Sequence, residues 1–222
     1  MQRIPRPAGF RPGDPPPWTG LDPEQRIFTL SEVRASLAAL PAPRPAALTT
    51  PQSRAAAVLV ALFEDRGEAH MILTKRPDTM PSHQGEIAFP GGKRDPRDAS
   101  PRAAALREAH EEIGLVPEAV EVVAELDGIS TVASQFTITP FVGLLARPPA
   151  LAPDRREVER VFAVPLSELL DPAAYREERW ELWGEWRAMS FFELPGETVW
   201  GATARILVGF LAFLAEGRLA GP

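Results

Sequence analysis

Proline most narrows what this 222-residue chain can become: it has 25, and eleven of them precede Gln52. A residue with a fixed φ and no backbone N–H interrupts helices and is excluded from central strands. Residues 1–20 and 41–53 are therefore poor material for either. Between them Asp22-Pro23 offers a helix start, and Ile27, Leu30, Val33, Leu37 and Leu40 recur at three- and four-residue spacing, which predicts one helix over Pro23–Leu40. The front, residues 1–50, is expected to be a proline-rich extension with one short helix, packed as an arm on a main unit of residues 51–222. A disordered tail over residues 1–20 is the competing reading.

From Ala55 onward apolar runs alternate with turn signals. Ala56 to Phe63 reads as a buried strand, Glu64 to Gly67 as a turn, and His70 to Lys75 as the second arm of a hairpin. A third strand, Gly85–Phe89, is predicted to end in a turn at Pro90-Gly91-Gly92. Ser100-Pro101 caps a helix that runs to Glu112 and stops at Gly114. Strands are expected at Val120–Leu126, Phe136–Leu145 and Val158–Val164, then a short helical turn over Pro165–Leu170. A strand pair within Trp180–Phe192 and a closing helix over Gly201–Glu216 complete the pattern. There is no internal repeat and no glycine- and serine-rich linker, which favours one domain with a decorated front.

Composition removes several classes. With no cysteine, disulfides, thiolate zinc sites and a cysteine nucleophile are excluded, and a chain this long can bury a core without them. A net charge of −6 argues against binding nucleic acid through its backbone. The apolar run Ile206–Ala215 is about half a bilayer span, so no membrane helix is expected. The start, Met-Gln-Arg-Ile-Pro-Arg-Pro, lacks a charged segment followed by an apolar stretch, so the expected compartment is cytoplasmic.

The chemistry concentrates on the capped helix. Glu108, Glu111 and Glu112 stand at i, i+3 and i+4, within about one turn on one face. Like charges this close call for open solvent or for a cation. Hard divalent ions such as Mg²⁺ take oxygen ligands from carboxylates and substrate phosphates, whereas a solvated acidic helix face is the alternative. Upstream, Phe89-Pro90-Gly91-Gly92-Lys93-Arg94-Asp95-Pro96-Arg97-Asp98 forms a glycine-containing loop whose backbone groups could face a metal or a pyrophosphate.

Loop, helix and the following Ile113-Gly114-Leu115 together resemble the Nudix signature, with Gly92, Asp98, Arg107, Glu108, Glu111, Glu112 and Gly114 as the matching residues. Asp98 stands where a glutamate is usual, eight rather than seven residues separate it from Arg107, and Ala109 replaces a larger aliphatic residue. Ile72-Leu73-Thr74-Lys75-Arg76 with His83-Gln84-Gly85-Glu86-Ile87-Ala88-Phe89-Pro90-Gly91-Gly92 resembles the preceding element of coenzyme A pyrophosphatases, with Pro77 and Met80 atypical. Val199-Trp200-Gly201-Ala202-Thr203-Ala204-Arg205-Ile206-Leu207 resembles their closing motif.

The resemblance implies an α/β (α+β) fold, an α/β/α sandwich with a mixed β-sheet, and a Mg²⁺- or Mn²⁺-dependent enzyme. That enzyme would cut coenzyme A or its derivatives to 3′,5′-ADP and 4′-phosphopantetheine. ADP-ribose or a dinucleotide as substrate, or a non-catalytic nucleotide sensor, are the alternatives. It implies Glu108, Glu112 and Glu111 as metal ligands, completed by the Gly91-Gly92 backbone with Gly92 as its ligating member, and Arg107 orienting the glutamates. The general base stays open among Glu111, Glu86, Glu157 and Glu159. Arg76, Lys93, His83 and Phe89 are expected at the substrate, with Trp200 as a second ring for adenine. His110 is expected to be helix surface. The arm is compatible with a homodimer.

Overall fold

The run after Ala55 becomes the central strand because each of its two faces meets a helix. The computed structural model describes residues 4–47, 53–79, 83–131 and 135–220. Met80 lies outside the described residues. Along the chain come β1 (Arg11–Pro12), α1 (Leu30–Leu37), β2 (Arg54–Asp65), β3 (Glu68–Lys75), β4 (Ile87–Ala88), β5 (Gly91–Lys93) and α2 (Pro101–Ile113). There follow β6 (Val120–Glu125), β7 (Ile129–Thr131), β8 (Phe136–Leu145), β9 (Arg160–Pro165), α3 (Leu166–Leu169), β10 (Tyr175–Leu182), β11 (Glu185–Leu194), β12 (Glu197–Val199) and α4 (Gly201–Leu219).

Side chains alternate along β2, as strand geometry requires. Ala57, Leu59, Ala61 and Phe63 pack with Ala104, Ala105, Ala109 and Ile113 of α2. Val60 and Leu62 belong to the opposite core, with Leu207, Phe210 and Leu211 of α4 and Val33 and Leu37 of α1. The large sheet is mixed: β2 runs parallel to β8, from Arg54↔Phe136 to Phe63↔Leu145, and antiparallel to β3 and β5. The expected sandwich with a mixed sheet is what forms. Among the described residues no helix is long and apolar enough to cross a membrane.

Three details depart from expectation. The predicted helix over Pro23–Leu40 is a 3₁₀ turn, Pro23–Arg26, followed by α1 alone. Phe28 presents its carbonyl to the Ala69 N–H (2.7 Å), which holds the chain extended before the helix restarts. Thr29 then caps α1 through a reciprocal pair with Glu32: the Glu32 N–H donates to Thr29 Oγ1 (3.2 Å) and the Thr29 N–H to Glu32 Oε2 (2.8 Å). Phe28 is therefore buried and Ile27 exposed, the reverse of the apolar stripe. Pro90-Gly91-Gly92 does not simply turn; Gly91–Lys93 is a strand against Ala56–Val58 of β2. Gly91 has φ +150°, and a Cβ there would overlap the Ala57 carbonyl oxygen.

The third departure is a second, four-stranded antiparallel sheet, β1-β10-β11-β12, to which the arm contributes one edge. Trp18 is fully buried between Tyr175 (ring centroids 5.4 Å, edge-on) and Phe192 (6.0 Å, stacked). Arg6 donates to the buried Glu178 through Nε (2.9 Å). The described part of residues 1–20 is thus packed and ordered by its own contacts. Trp18→Ala should cost about 3–5 kcal/mol of stability and Ile27→Ala under about 0.5 kcal/mol. Urea denaturation of the two variants checks the assignment; similar losses would contradict the burial of Trp18 or the exposure of Ile27.

Candidate active site

Helix α2 is held at both ends. Ser100 Oγ accepts the Ala103 N–H (3.1 Å), Pro101 occupies the first turn, and Gly114, at φ +70°, gives its N–H to the His110 carbonyl (2.9 Å). Small residues on the inner face let the helix lie close to β2 and β5. Ala109, where a larger aliphatic residue is usual, is fully buried in that contact. The acidic residues face the β5 side and the solvent.

Arg107 organises them. Its Nε and Nη2 donate to Asp98 Oδ1 and Oδ2 (2.8 and 3.0 Å), and Nη1 donates to Glu111 Oε2 (2.7 Å). Nη2 also lies 2.9 Å from Glu108 Oε1 and donates to the Lys93 carbonyl (3.3 Å). Asp98 accepts the Asp95 N–H as well (2.7 Å). The extra residue before the helix is therefore absorbed in the Asp95–Asp98 turn, and the shorter Asp98 still reaches Arg107.

Glu112 sits deepest, 5% exposed, and its Oε2 accepts the Gly91 N–H (3.0 Å). Burial first, then repulsion by Glu108 and Glu157, raises its pKa to about 7 against the opposing pull of the Gly91 N–H and Arg76. Burial likewise raises Glu108, with Arg107 opposing and Glu111 and Glu157 adding. Gly92 leaves room for Glu108: a Cβ at that position would overlap Glu108 Oε2. Glu111, 58% exposed, is turned toward Arg107.

The other expected residues divide. Arg76 joins the site: its charge acts on both Glu112 and His83, and among the described residues its buried Nε has no hydrogen-bond partner. His83, at φ +56°, is 2.8 Å from Glu86 Oε2 through Nδ1, a contact that raises its pKa. Glu157, on the loop before β9, is exposed yet close enough to oppose ionisation of Glu108 and Glu112. Glu159 is paired with Lys75 (3.4 Å). Lys93 is exposed and touches Arg107 through its carbonyl, and His110 is helix surface as expected. Phe89 is not available to a ligand: it is 3% exposed and belongs to the α4-side core, a correction to its expected place at the substrate. Trp200 is half-buried beside Trp180 (6.5 Å).

Sequence reading set the Gly91-Gly92 backbone at the metal but did not show that the Gly91 N–H binds Glu112 itself, because two adjacent glycines give no sign of which one turns inward. It also missed the pairing of Lys75 with Glu197 (3.2 Å), residues far apart in the chain.

A NUDIX domain family model matches residues 53–184. The chain belongs to the Nudix family. It is 41% identical over 163 residues to the uncharacterized Nudix hydrolase NudL of Enterobacter sp. (strain 638), covering 69% of this chain and 79% of that one. It is 40% identical over 160 residues to Nudix hydrolase 22, chloroplastic, of Arabidopsis thaliana, with 69% of this chain covered. The match spans about half (53%) of the Arabidopsis protein's length. The crystal structure of a MutT/nudix family protein from Enterococcus faecalis shares the fold, at TM-score 0.50 and 16% identity over 87% of this chain and 70% of the other. As a Nudix hydrolase the protein acts on pyrophosphate bonds.

Nudix hydrolases use divalent cations, and the donor set here fits one. Every side-chain donor is a carboxylate oxygen, the choice of a hard ion. The deepest carboxylate has a single N–H and a distant arginine against burial and two like charges. Among the described residues, however, no three carboxylate or imidazole side chains already converge as a cage. The reason is visible: Arg107 holds Glu111 and one oxygen of Glu108.

The raised value for Glu112 has a direct consequence for stability. Because it lies above the 4.5 of the free side chain, its contribution is full below about pH 4.5 and is lost as pH rises through about 7. In a chelator, Glu112→Gln should therefore gain on the wild type by about 2–3 kcal/mol between about pH 5 and about pH 8. Denaturant titrations at the two pH values measure this; a constant difference would mean Glu112 ionises as an ordinary surface carboxylate.

Proposed function

We propose that the protein hydrolyses the diphosphate of coenzyme A and its derivatives, with Mg²⁺ or Mn²⁺, to give 3′,5′-ADP and 4′-phosphopantetheine in the cytoplasm. The working unit is residues 51–222, with residues 1–50 as an extension. The observation that carries the reading is Arg76. It closes the block Ile72–Arg76 that resembles coenzyme A pyrophosphatases, its charge acts on Glu112, and among the described residues its buried guanidinium Nε has no hydrogen-bond partner. A buried donor left unsatisfied is costly, and a phosphate oxygen is its natural acceptor.

Glu108 and Glu112, with the Gly92 backbone alongside, would hold the cation, which when bound neutralises phosphate charge and lowers the pKa of water. Arg107 positions Glu108 and keeps Glu111 within reach. Three of the four candidates for the general base are occupied: Glu111 by Arg107, Glu86 by His83 and Glu159 by Lys75. Glu157 has no ion pair among the described residues and its charge acts on both Glu108 and Glu112, so it is the carboxylate that takes the proton from the attacking water. Arg76, His83 and Lys93 supply positive charge to the substrate's phosphates.

Coenzyme A should be cleaved faster than ADP-ribose or a dinucleotide, with 3′,5′-ADP and 4′-phosphopantetheine as the products by chromatography. Equal or reversed rates would remove the substrate while leaving the hydrolase. Glu112→Gln should lower turnover by about 10²-fold or more with its fold unchanged, and Arg76→Ala should raise KM more than it lowers kcat. A wild type without diphosphate cleavage on any of these substrates would favour a nucleotide sensor.

A further inference from the structure

A carboxylate of the second sheet reaches the catalytic side of the molecule. Glu197, on β12, is 10% exposed, and its Oε1 meets both Lys75 Nζ (3.2 Å) and Arg160 Nη2 (2.8 Å). Lys75 ends β3 and Arg160 begins β9, where the two residues are paired in register. Between them stands Glu159, whose N–H donates to the Lys75 carbonyl (2.8 Å) and whose carboxylate lies 3.4 Å from Lys75 Nζ. The preceding loop rests on the end of α2. The Ala152 N–H donates to the Ile113 carbonyl and the Asp154 N–H to the Glu112 carbonyl (both 2.9 Å), and Val158 is buried in the α2-side core. Glu157 lies between these two anchorages.

We propose that Glu197 is a positioning residue of the active site: by holding Lys75 and Arg160 on either side of Glu159, it fixes the loop that presents Glu157 to Glu108 and Glu112. This rests on the reading of Glu157 given above. The anchorage on α2 is made of backbone hydrogen bonds and one buried valine. The other end has the Lys75 carbonyl, the Arg155 guanidinium donating to the Glu159 carbonyl, and this ion triad, and the triad is the part that depends on a side chain from a different sheet. β12 also lies outside the family match at residues 53–184, so the clamp is not accounted for by membership alone. Glu197 is the buried member of a partly exposed network, and removing it leaves Lys75 and Arg160 without its counter-charge. Here that would leave Lys75 and Arg160 competing for Glu159 and pulling on the residue two places after Glu157.

A double-mutant cycle separates positioning from general stability. Steady-state kinetics on coenzyme A with Mg²⁺ are measured for the wild type, Glu197→Gln, Glu157→Gln and the double variant, each with a denaturation curve. Amide hydrogen exchange over residues 157–160 is followed alongside. Glu197→Gln should lower kcat by about tenfold, with KM within about twofold, and speed exchange at Val158 and Glu159. In the Glu157→Gln background the same change should lower kcat by no more than about twofold while costing the same stability. Full loss in both backgrounds, or an unchanged kcat in Glu197→Gln, overturns the proposal. If Glu197→Gln does not fold, the half-exposed Arg160→Gln replaces it, with the same direction expected and the same outcomes decisive. A wild type that cleaves no diphosphate would count against the proposed function instead, and unchanged exchange over residues 157–160 in the variant would still overturn the clamp.

Discussion

Arg107 faces oxygens from Asp98, Glu108, Glu111 and Lys93, and the acidic side of α2 exists in this form because one planar, permanently charged group can serve all of them. Three carboxylates within a helical turn repel each other, most strongly where they are removed from water. A lysine would offer a point charge to one of them. The guanidinium fork instead spans from the turn before the helix to the residue one turn after it, so that geometry and neutralisation come from the same side chain. The proximity of these acids in turn holds the Arg107 cation charged. Glu112 lies on the far side of this arrangement, and what it receives is the Gly91 N–H.

That N–H reaches Glu112 because β5 runs in close against β2. Gly91 needs a conformation and a clearance that a side chain would remove, and Gly92 yields its volume to Glu108. On the facing helix the alanines at positions 104, 105 and 109 shorten the distance between α2 and the sheet. The double glycine and the alanine-rich helix are thus two halves of one close approach between backbone and carboxylates.

Much of this was legible in the sequence, for identifiable reasons. Cap, proline and terminal glycine marked α2, and helical spacing put Glu108, Glu111 and Glu112 together. Strand periodicity and length marked β2, β3 and β8. What was not legible depends on contacts between distant segments. Nothing near Ile27 shows that the Phe28 carbonyl will pair with Ala69 and break the expected helix. The extended course of Gly91–Lys93 needs β2 as a partner, and local turn chemistry argues the other way. Phe89 adjoins the signature yet faces the core, since alternation along a short strand cannot be phased without its neighbours. The edge strand at Arg11–Pro12 is too short to carry any pattern at all.

The placement of Glu112 costs stability. A carboxylate driven toward neutrality by burial is a poor structural element, and its cost falls on the rest of the chain. The two cores on either side of β2, and the aromatic contact of Trp18 with Tyr175 and Phe192, bear that cost. A divalent cation bound at Glu108 and Glu112 would return it through mass action, since the ion binds the folded form alone when its ligands come from an assembled helix and strand. On the proposed reading, the burial that unsettles Glu112 without a cation would favour the folded form once a cation supplies the missing counter-charge.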